Sequence, residues 1–206
     1  MPLMMEVTVG QRKGDFVGRN HLVLQAAVDY VAARGGGVVR IGKGVFEMGN
    51  SLFLRSHVQL IGAGEDTVLR KCPSRITPLV DDTDWYMDTV TVQDPSVFTV
   101  GGACLLRGKC PHSEQMSYVK RTVTGISGNV VHLDRQVRDN FWVDTGAEAG
   151  TLFPVISGEN VSDLSIESLR IDGNKQQNEE LNGNHGGGIF LQDCNRVYIG
   201  DVTSHD

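Results

Sequence analysis

The amino-acid sequence predicts an all-β protein, a solenoid of parallel strands with one capping helix and a small β-rich insertion. Short runs rich in Val, Ile, Leu and Phe follow one another from residue 37, between Gly, Asn and Ser. The stretches 162–173 and 195–206 repeat one apolar pattern at an offset of 33 residues. No second amphipathic helix follows the first, which argues against a doubly wound sheet.

The helix is predicted after Asn20, where apolar residues return with the 3.6-residue period of an amphipathic helix. Asn20 is the expected N-cap, and Gly35 is the expected residue just past the helix end. We expect the helix to cover the open end of the first coil and its unpaired strand edges. Its apolar stripe consists of Leu24, Ala27, Val28 and Val31.

The repeated pattern predicts which strands lie side by side. The 33-residue offset pairs Leu164 with Val197, Ile166 with Ile199, and Leu169 with Val202. The segment 57–62 has the same alternation, with Val58 and Leu60 as its inward pair. Each coil of a solenoid buries its apolar face only against the coils above and below it, so parallel stacking keeps like residues over like.

Residues 72–152 do not continue this repeated apolar pattern. Within them, alternating strands are joined by Gly-Gly and Ser-Gly-Asn turns, a pattern typical of antiparallel pairs. We interpret 72–152 as a β-rich insertion between the cap helix and first coils (1–71) and further coils (153–206). The run from Asp81 to Asp84 is interpreted as a solvated turn rather than a calcium loop.

Composition and charge exclude several classes of function. The 206 residues carry a net charge of -6 and no basic run, so we predict no nucleic-acid partner. No window approaches the ~18 apolar residues of a membrane span, and the first residues lack a signal-peptide pattern, so we predict no membrane partner. The four cysteines have no C-x-x-C spacing, which indicates neither a zinc ribbon nor a redox motif. The location stays open between the cytoplasm and secretion.

Several motifs near the start of the chain are those of a known family. They are a Gly-Asp pair at 14–15, Gln25-Ala26, a Gly-Gly-Gly corner at 35–37, a Gly-x-Gly-x-Phe turn at 42–46, and Val-x-Leu-x-Gly-x-Gly at 58–64. This set resembles the N-terminal region of the pectate-lyase-like right-handed parallel β-helix superfamily. The family usually carries Asp and Thr before the helix, where this chain has Phe-Val-Gly-Arg-Asn at 16–20. The resemblance implies a right-handed parallel β-helix and activity on polysaccharides.

The candidate site lies near the end of the chain. Because strand side chains alternate, Arg170 and Asp172 face outward when Leu169 and Ile171 face inward. The 33-residue offset then brings His205 beside Asp172, and Arg170 is the one basic residue expected near this cluster. As catalytic candidates we take Asp172, His205 and Asp206, and as substrate-binding candidates Arg170, Glu179, Glu180, Asn184 and His185.

These residue types suit sugar chemistry, because paired carboxylates supply the acid and base of glycosidases. We therefore expect a polysaccharide lyase or a glycoside hydrolase that acts on an acidic or other polysaccharide. The alternatives are a non-catalytic carbohydrate-binding or structural module, as in phage tail fibres, and a uronan epimerase. No metal ligand set and no cofactor are predicted, and calcium is the one ion left open. Because no capping element follows the last strand, we expect either further residues after Asp206 or a homo-oligomer that covers this end.

Overall fold

The computed structural model describes residues 5–109, 115–181 and 185–206. The chain is mostly β and divides into two compact units. The first unit comprises Met1–Cys72, Pro154–Gln176 and Gly187–Asp206, and the second comprises Pro73–Phe153 and Gln177–Gly186. In chain order the elements are β1 (Met5–Gly10), β2 (Phe16–Val17), α1 (His21–Ala32), β3 (Gly37–Ile41), β4 (Gly44–Met48), β5 (Leu52–Phe53), β6 (Val58–Ile61), β7 (Thr67–Lys71), β8 (Ile76–Pro78), β9 (Thr89–Thr91), β10 (Ala103–Lys109), β11 (Met116–Ser127), β12 (Val130–Leu133), β13 (Glu148–Gly150), β14 (Ile156–Glu159), β15 (Ser162–Asp172), β16 (Ile189–Gln192) and β17 (Asn195–His205).

The strands of the first unit form three parallel ladders, which the chain visits in the same order each time. The first ladder contains β1, β3, β6, and the first halves of β15 and β17. The second ladder contains β4, β7, and the second halves of β15 and β17. The third ladder contains β5, β14 and β16. The recurrence of first, second and third ladder means that successive segments of chain lie one over another.

Matching apolar side chains stack across the first ladder. Val39, Leu60, Ile166 and Ile199 occupy one register position on four neighbouring strands. The first three are fully buried, whereas Ile199, on the last of these strands, is 44% exposed. The pairs predicted by the 33-residue offset are confirmed, since Leu164 lies opposite Val197 and Leu169 opposite Val202. Each side chain in the column is therefore buried by its counterparts on the strands beside it.

The corners between strands stack in the same way as the strands. His57, Asp163 and Arg196 have left-handed backbones, with φ of 65°, 57° and 52°. The Nη2 atom of Arg196 donates to Asp163 at 2.7 Å, and His57 Nδ1 lies 3.7 Å from the same carboxylate. The hydrogen bond from Arg196 lowers the pKa of Asp163 to about 2. A second left-handed corner recurs at Ser168 and Asp201, again at the 33-residue offset.

A glycine is required where one of these corners passes close to another. A Cβ atom on Gly62 would lie 2.2 Å from the carbonyl oxygen of Ser168. Any side chain at this position would collide with backbone, which cannot move aside without disturbing β15. The second glycine of the motif at 58–64 is in a left-handed conformation, with a φ of 74° at Gly64.

Helix α1 packs against the first strands of this unit, as the sequence predicts. Its buried residues are the predicted stripe, Leu24, Ala27, Val28 and Val31. The Gln25 side chain pairs with the edge of β5, because its Nε2 donates to Phe53 O at 3.1 Å and its Oε1 accepts from Phe53 N at 2.8 Å. This contact satisfies strand-edge groups that a neighbouring strand would otherwise bond.

The predicted N-cap residue of the helix is confirmed, and the predicted C-terminal end needs one correction. Asn20 occupies the N-cap position, but its side chain makes no capping hydrogen bond. The C-cap is Ala33, so Gly35 lies one residue later than predicted, with a φ of 92° that only glycine adopts readily. Within the described residues, no helix is long and apolar enough to cross a membrane.

The described residues of the second unit form a six-stranded antiparallel sheet in the order β8-β13-β10-β11-β12-β9. A bridge between Leu79 and Val92 joins the two outer strands, so the sheet closes on itself. The predicted antiparallel pairing of this region is confirmed. Apolar side chains from all around the sheet, among them Val90, Leu106 and Phe141, form one buried core.

The stacked column predicts unequal effects of two matched substitutions. Ile166→Ala should lower the free energy of unfolding by about 2–5 kcal/mol, because it opens a cavity inside the column. Ile199→Ala should lower it by about 1 kcal/mol or less, because that side chain is already partly exposed. Urea unfolding followed by circular dichroism measures both values. Equal losses would contradict the burial order in the column.

Candidate functional site

Four polar side chains form a row across the outer face of the second ladder. The strand register places Glu47, Arg70, Asp172 and His205 next to one another on β4, β7, β15 and β17. They face outward because their neighbours along each strand, such as Ile171, are buried. Adjacent strands lie about 4.8 Å apart, so each group in this charged row lies beside the next.

Asp172 is the most enclosed carboxylate in the charged row, with a side chain only 14% exposed. Arg70 Nε donates to its Oδ2 at 2.9 Å, and the backbone N–H of Asn174 donates to its Oδ1 at 2.9 Å. Burial acts to raise the pKa of Asp172, but these hydrogen bonds, with the attraction of Arg70 and His205, outweigh burial and hold the pKa below its usual range. Asp172 is therefore an ionised hydrogen-bond acceptor at neutral pH.

His205 and Asp206 complete a cluster with Asp172. His205 Nδ1 lies 2.9 Å from Asp206 Oδ2. One nitrogen or oxygen from each of the three residues lies within 4.8 Å of the others. The second ring nitrogen, Nε2, is buried and has no hydrogen-bond partner among the described residues. The predicted proximity of Asp172 and His205 is confirmed, and their strands pair directly.

The basic residue bonded to this cluster is Arg70, which is not among the predicted site residues, whereas the predicted Arg170 lies two residues before Asp172 on β15. Arg170 lies opposite Val68 and Thr203 on the same ladder, and its Nε atom is buried with no partner among the residues described. The alternation of β7 could have indicated that Arg70 faces outward, since Leu69 is an obvious core residue. The register of β7 against β15 could not be read, because 102 residues separate Arg70 from Asp172.

Three of the remaining predicted substrate-binding residues, Glu179, Glu180 and His185, belong to the second unit. Glu179 accepts from Arg107 at 3.0 Å, and Arg107 also donates to Glu148 at 2.8 Å. Glu179 thus shares a half-buried arginine with another carboxylate. Glu180 is exposed, and Asn184 lies outside the described residues.

His185 in the second unit is stacked on an aromatic ring. Its ring centroid lies 4.9 Å from that of Tyr118, with the planes 23° apart. Burial, reinforced by the charge of Lys120, holds the pKa of His185 below its usual range. The imidazole is therefore neutral at pH 7, which suits its packing against the Tyr118 ring.

The cluster offers calcium fewer oxygen ligands than this ion usually takes. Calcium takes six to eight oxygen ligands, whereas this cluster offers two carboxylates and an imidazole nitrogen. Both oxygens of Asp172 already accept hydrogen bonds, one of them from a cationic guanidinium. The arrangement instead offers ionised acceptors, guanidinium donors and an imidazole on one rigid surface.

No family model matches the sequence, and no curated protein matches it. Among solved structures, the chain is similar to the tailspike gp61 of Pseudomonas phage phi297 (13% identity, 84% of this chain and 30% of that chain, TM-score 0.37). It is also similar to the Gp54 tailspike of Acinetobacter baumannii bacteriophage AP22, solved with a capsular saccharide (14% identity, 85% and 33%, TM-score 0.35). A third similar structure is a glycoside hydrolase (8% identity, 81% and 50%, TM-score 0.32). The chain spans about a third of the length of the two tailspikes.

The contact between Arg70 and Asp172 predicts a measurable shift. Arg70→Ala should raise the pKa of Asp172, because burial then acts with less opposition. In the native protein this contact stabilises the fold above pH 3.8, the ordinary value, and the stabilisation is lost as pH falls through the lower folded value. The variant should therefore lose less stability than the native protein between pH 6 and pH 3. NMR titration of the Asp172 carboxyl carbon measures the shift.

Arg40→Ala is the matched control for this titration. Arg40 forms a comparable pair with Glu6 at 2.8 Å on the first ladder. Its removal should leave the titration of Asp172 unchanged. A pKa of Asp172 that stays the same in Arg70→Ala would contradict the assigned cause of the shift.

Proposed function

We propose that the first unit is a right-handed parallel β-helix related to the pectate-lyase-like superfamily, and that the outer face of its second ladder binds polysaccharide. The observation that carries this proposal is the charged row, in which Glu47, Arg70, Asp172 and His205 lie side by side in strict register. The segment 73–153, which is the larger part of the second unit, is then an insertion between β7 and β14 of the helix.

The charged row suits a polymer of sugars for reasons of hydrogen bonding. Sugar hydroxyl groups both donate and accept, so they can bond an ionised Asp172 and an adjacent guanidinium. Strand pairing holds these groups at a regular spacing of about 4.8 Å, which reduces the entropy lost on binding. Thr203 and Glu65 extend the polar surface, with Thr203 Oγ1 donating to Glu65 Oε1 at 2.7 Å.

Binding is a better match than acid catalysis for the carboxylates observed. A general acid in a glycosidase needs a raised pKa, so that it holds a proton at working pH. Hydrogen bonds instead hold the pKa of Asp172 low, despite its burial. We therefore assign Asp172 to hydrogen bonding of saccharide hydroxyl groups, with Arg70 as the residue that positions its carboxylate.

A second candidate function is a polysaccharide lyase or a glycoside hydrolase, and it rests on the cluster of Asp172, His205 and Asp206. An imidazole 2.9 Å from a carboxylate is a common arrangement for a general base, because the carboxylate orients the ring. His205 would then remove a proton from a bound sugar or from water. Arg70 beside the cluster offers the positive charge that a uronate would require.

One set of measurements tests the proposal. Titration calorimetry with pectin, alginate and neutral glucan oligosaccharides should detect binding of one or more classes, and Asp172→Asn should weaken it at least tenfold, because the neutral amide accepts hydrogen bonds less strongly than the carboxylate. Glu6→Gln is the matched control, since Glu6 also forms an outward ion pair with an arginine, and it should leave affinity unchanged.

The same samples separate binding from catalysis. New absorbance of unsaturated uronates would assign a lyase, and new reducing ends without that absorbance would assign a hydrolase. Saccharide binding without either product supports the binding function. If the folded Asp172→Asn variant binds saccharide with the same affinity as the native protein, the charged row is excluded as the saccharide site.

A further inference from the structure

A turn in the second unit presents two large aromatic side chains to solvent. The backbone N–H of Met87 donates to the carbonyl of Asp84 at 3.0 Å, so Trp85 and Tyr86 are the two central residues of this turn. Such positions usually hold Gly, Asn, Asp or Pro. Here the side chains are 44% and 72% exposed, respectively. Contiguous exposed apolar side chains occur at interaction surfaces more than scattered ones do.

Hydrogen bonds to the facing segment hold this turn in one conformation. Thr83 and Phe141 exchange two backbone hydrogen bonds, both of 2.9 Å. Trp85 N donates to Asn140 Oδ1 at 3.2 Å, and Trp85 O accepts from Arg138 N at 2.9 Å. Phe141 is fully buried in the core of the second unit, so the turn is tied to that core. A ligand that binds the two rings would therefore lose little entropy in ordering them.

The surface around the turn is strongly acidic. The facing segments 80–88 and 137–145 together contain six aspartates and one arginine. The four aspartates of the first segment are all exposed. These aspartates are Asp81, Asp82, Asp84 and Asp88. Ionised carboxylates accept hydrogen bonds and donate none, so this surface favours a ligand that is rich in donors and carries positive charge.

We propose that this turn, with Trp85, Tyr86 and the surrounding aspartates, is a binding site for saccharides that carry free amino groups. The ammonium group of an amino sugar is attracted to the faces of Trp and Tyr rings and to the carboxylates, and the sugar hydroxyl groups donate to the same carboxylates. The negative charge repels uronate polymers. A protein partner fits less well, because the centres of protein interfaces are depleted of charged residues.

This site is independent of the charged row and of the function proposed for it. All of its residues belong to the second unit, whereas the charged row lies in the first. Its ligand is cationic, and the substitutions that test it differ from those that test the charged row. Either proposal can therefore fail without the other.

Two oligosaccharides of equal length test the charge preference directly. At a pH below the pKa of the sugar amines, glucosamine oligomers carry an ammonium group on each sugar, and N-acetylglucosamine oligomers carry a neutral amide in its place. Titration calorimetry on the full chain at low salt should show at least tenfold tighter binding of the glucosamine oligomer. The affinity should fall as salt is raised, because the attraction is partly between exposed charges.

Three variants and one control assign the binding to the turn. Tyr86→Ala and Trp85→Ala should each weaken glucosamine binding at least tenfold, and Asp84→Asn should weaken it severalfold. Val100→Ala removes an apolar side chain of the same unit that is 61% exposed, and it should leave the affinity unchanged. Thermal unfolding checks that each variant is folded, and Tyr86→Ala, with the more exposed ring, keeps the test valid if Trp85→Ala does not fold.

Several outcomes would overturn the proposal. They are equal affinity for the two oligomers, undiminished binding by folded Tyr86→Ala, and binding of a lysine-rich peptide with no binding of glucosamine oligomers. Loss of glucosamine binding in Asp172→Asn would overturn it as well, because the site would then lie on the charged row. Retained glucosamine binding in Asp172→Asn, together with its loss in Tyr86→Ala, supports two separate sites.

Discussion

Backbone hydrogen bonding between parallel strands of a ladder is the constraint on which the first unit depends. Apart from the pair β1 and β2, the strands bond within their ladders and not to their neighbours in sequence. A corner must therefore take the same backbone conformation each time the chain returns to a ladder if the next strand is to continue it. The left-handed residues at His57, Asp163 and Arg196 meet this requirement, and the same register places buried Leu60 beside buried Ile166.

The same constraint determines the chemistry of the outer face. Side chains in register lie about 4.8 Å apart with no freedom to separate, so neighbouring charges must be compatible. Along the charged row, Arg70 lies between Glu47 and Asp172, and the order of signs is favourable. At the stacked corner, Asp163 lies between His57 and Arg196 in a similar way. Register thus creates fixed rows of donors and acceptors, which is the property a polymer-binding surface needs.

The strand pairing of the first unit continues in its ladders after a long intervening segment of the chain. After residues 73–153, β14 pairs with β5, and β15 pairs with both β6 and β7. The entropic penalty of closing a loop grows only slowly with its length, and this segment folds around an apolar core of its own. Because that core fixes the turn at Trp85 and Tyr86, the second unit can carry a binding surface whose charge differs from that of the first.

The sequence by itself determined the elements and contacts that follow from a regular spacing of residues. The 3.6-residue period identified the buried stripe of α1, and the 33-residue offset identified the pairing of β15 with β17, including Asp172 beside His205. The same offset also relates Asp163 to Arg196, so that ion pair could have been predicted. Only the tertiary structure decided that Arg70 is the partner of Asp172, because 102 residues intervene and the register depends on where the chain returns. It also decided that Glu179 and His185 belong to the second unit, where Arg107 and Tyr118 bind them, since a loop takes its place from the surfaces that it contacts.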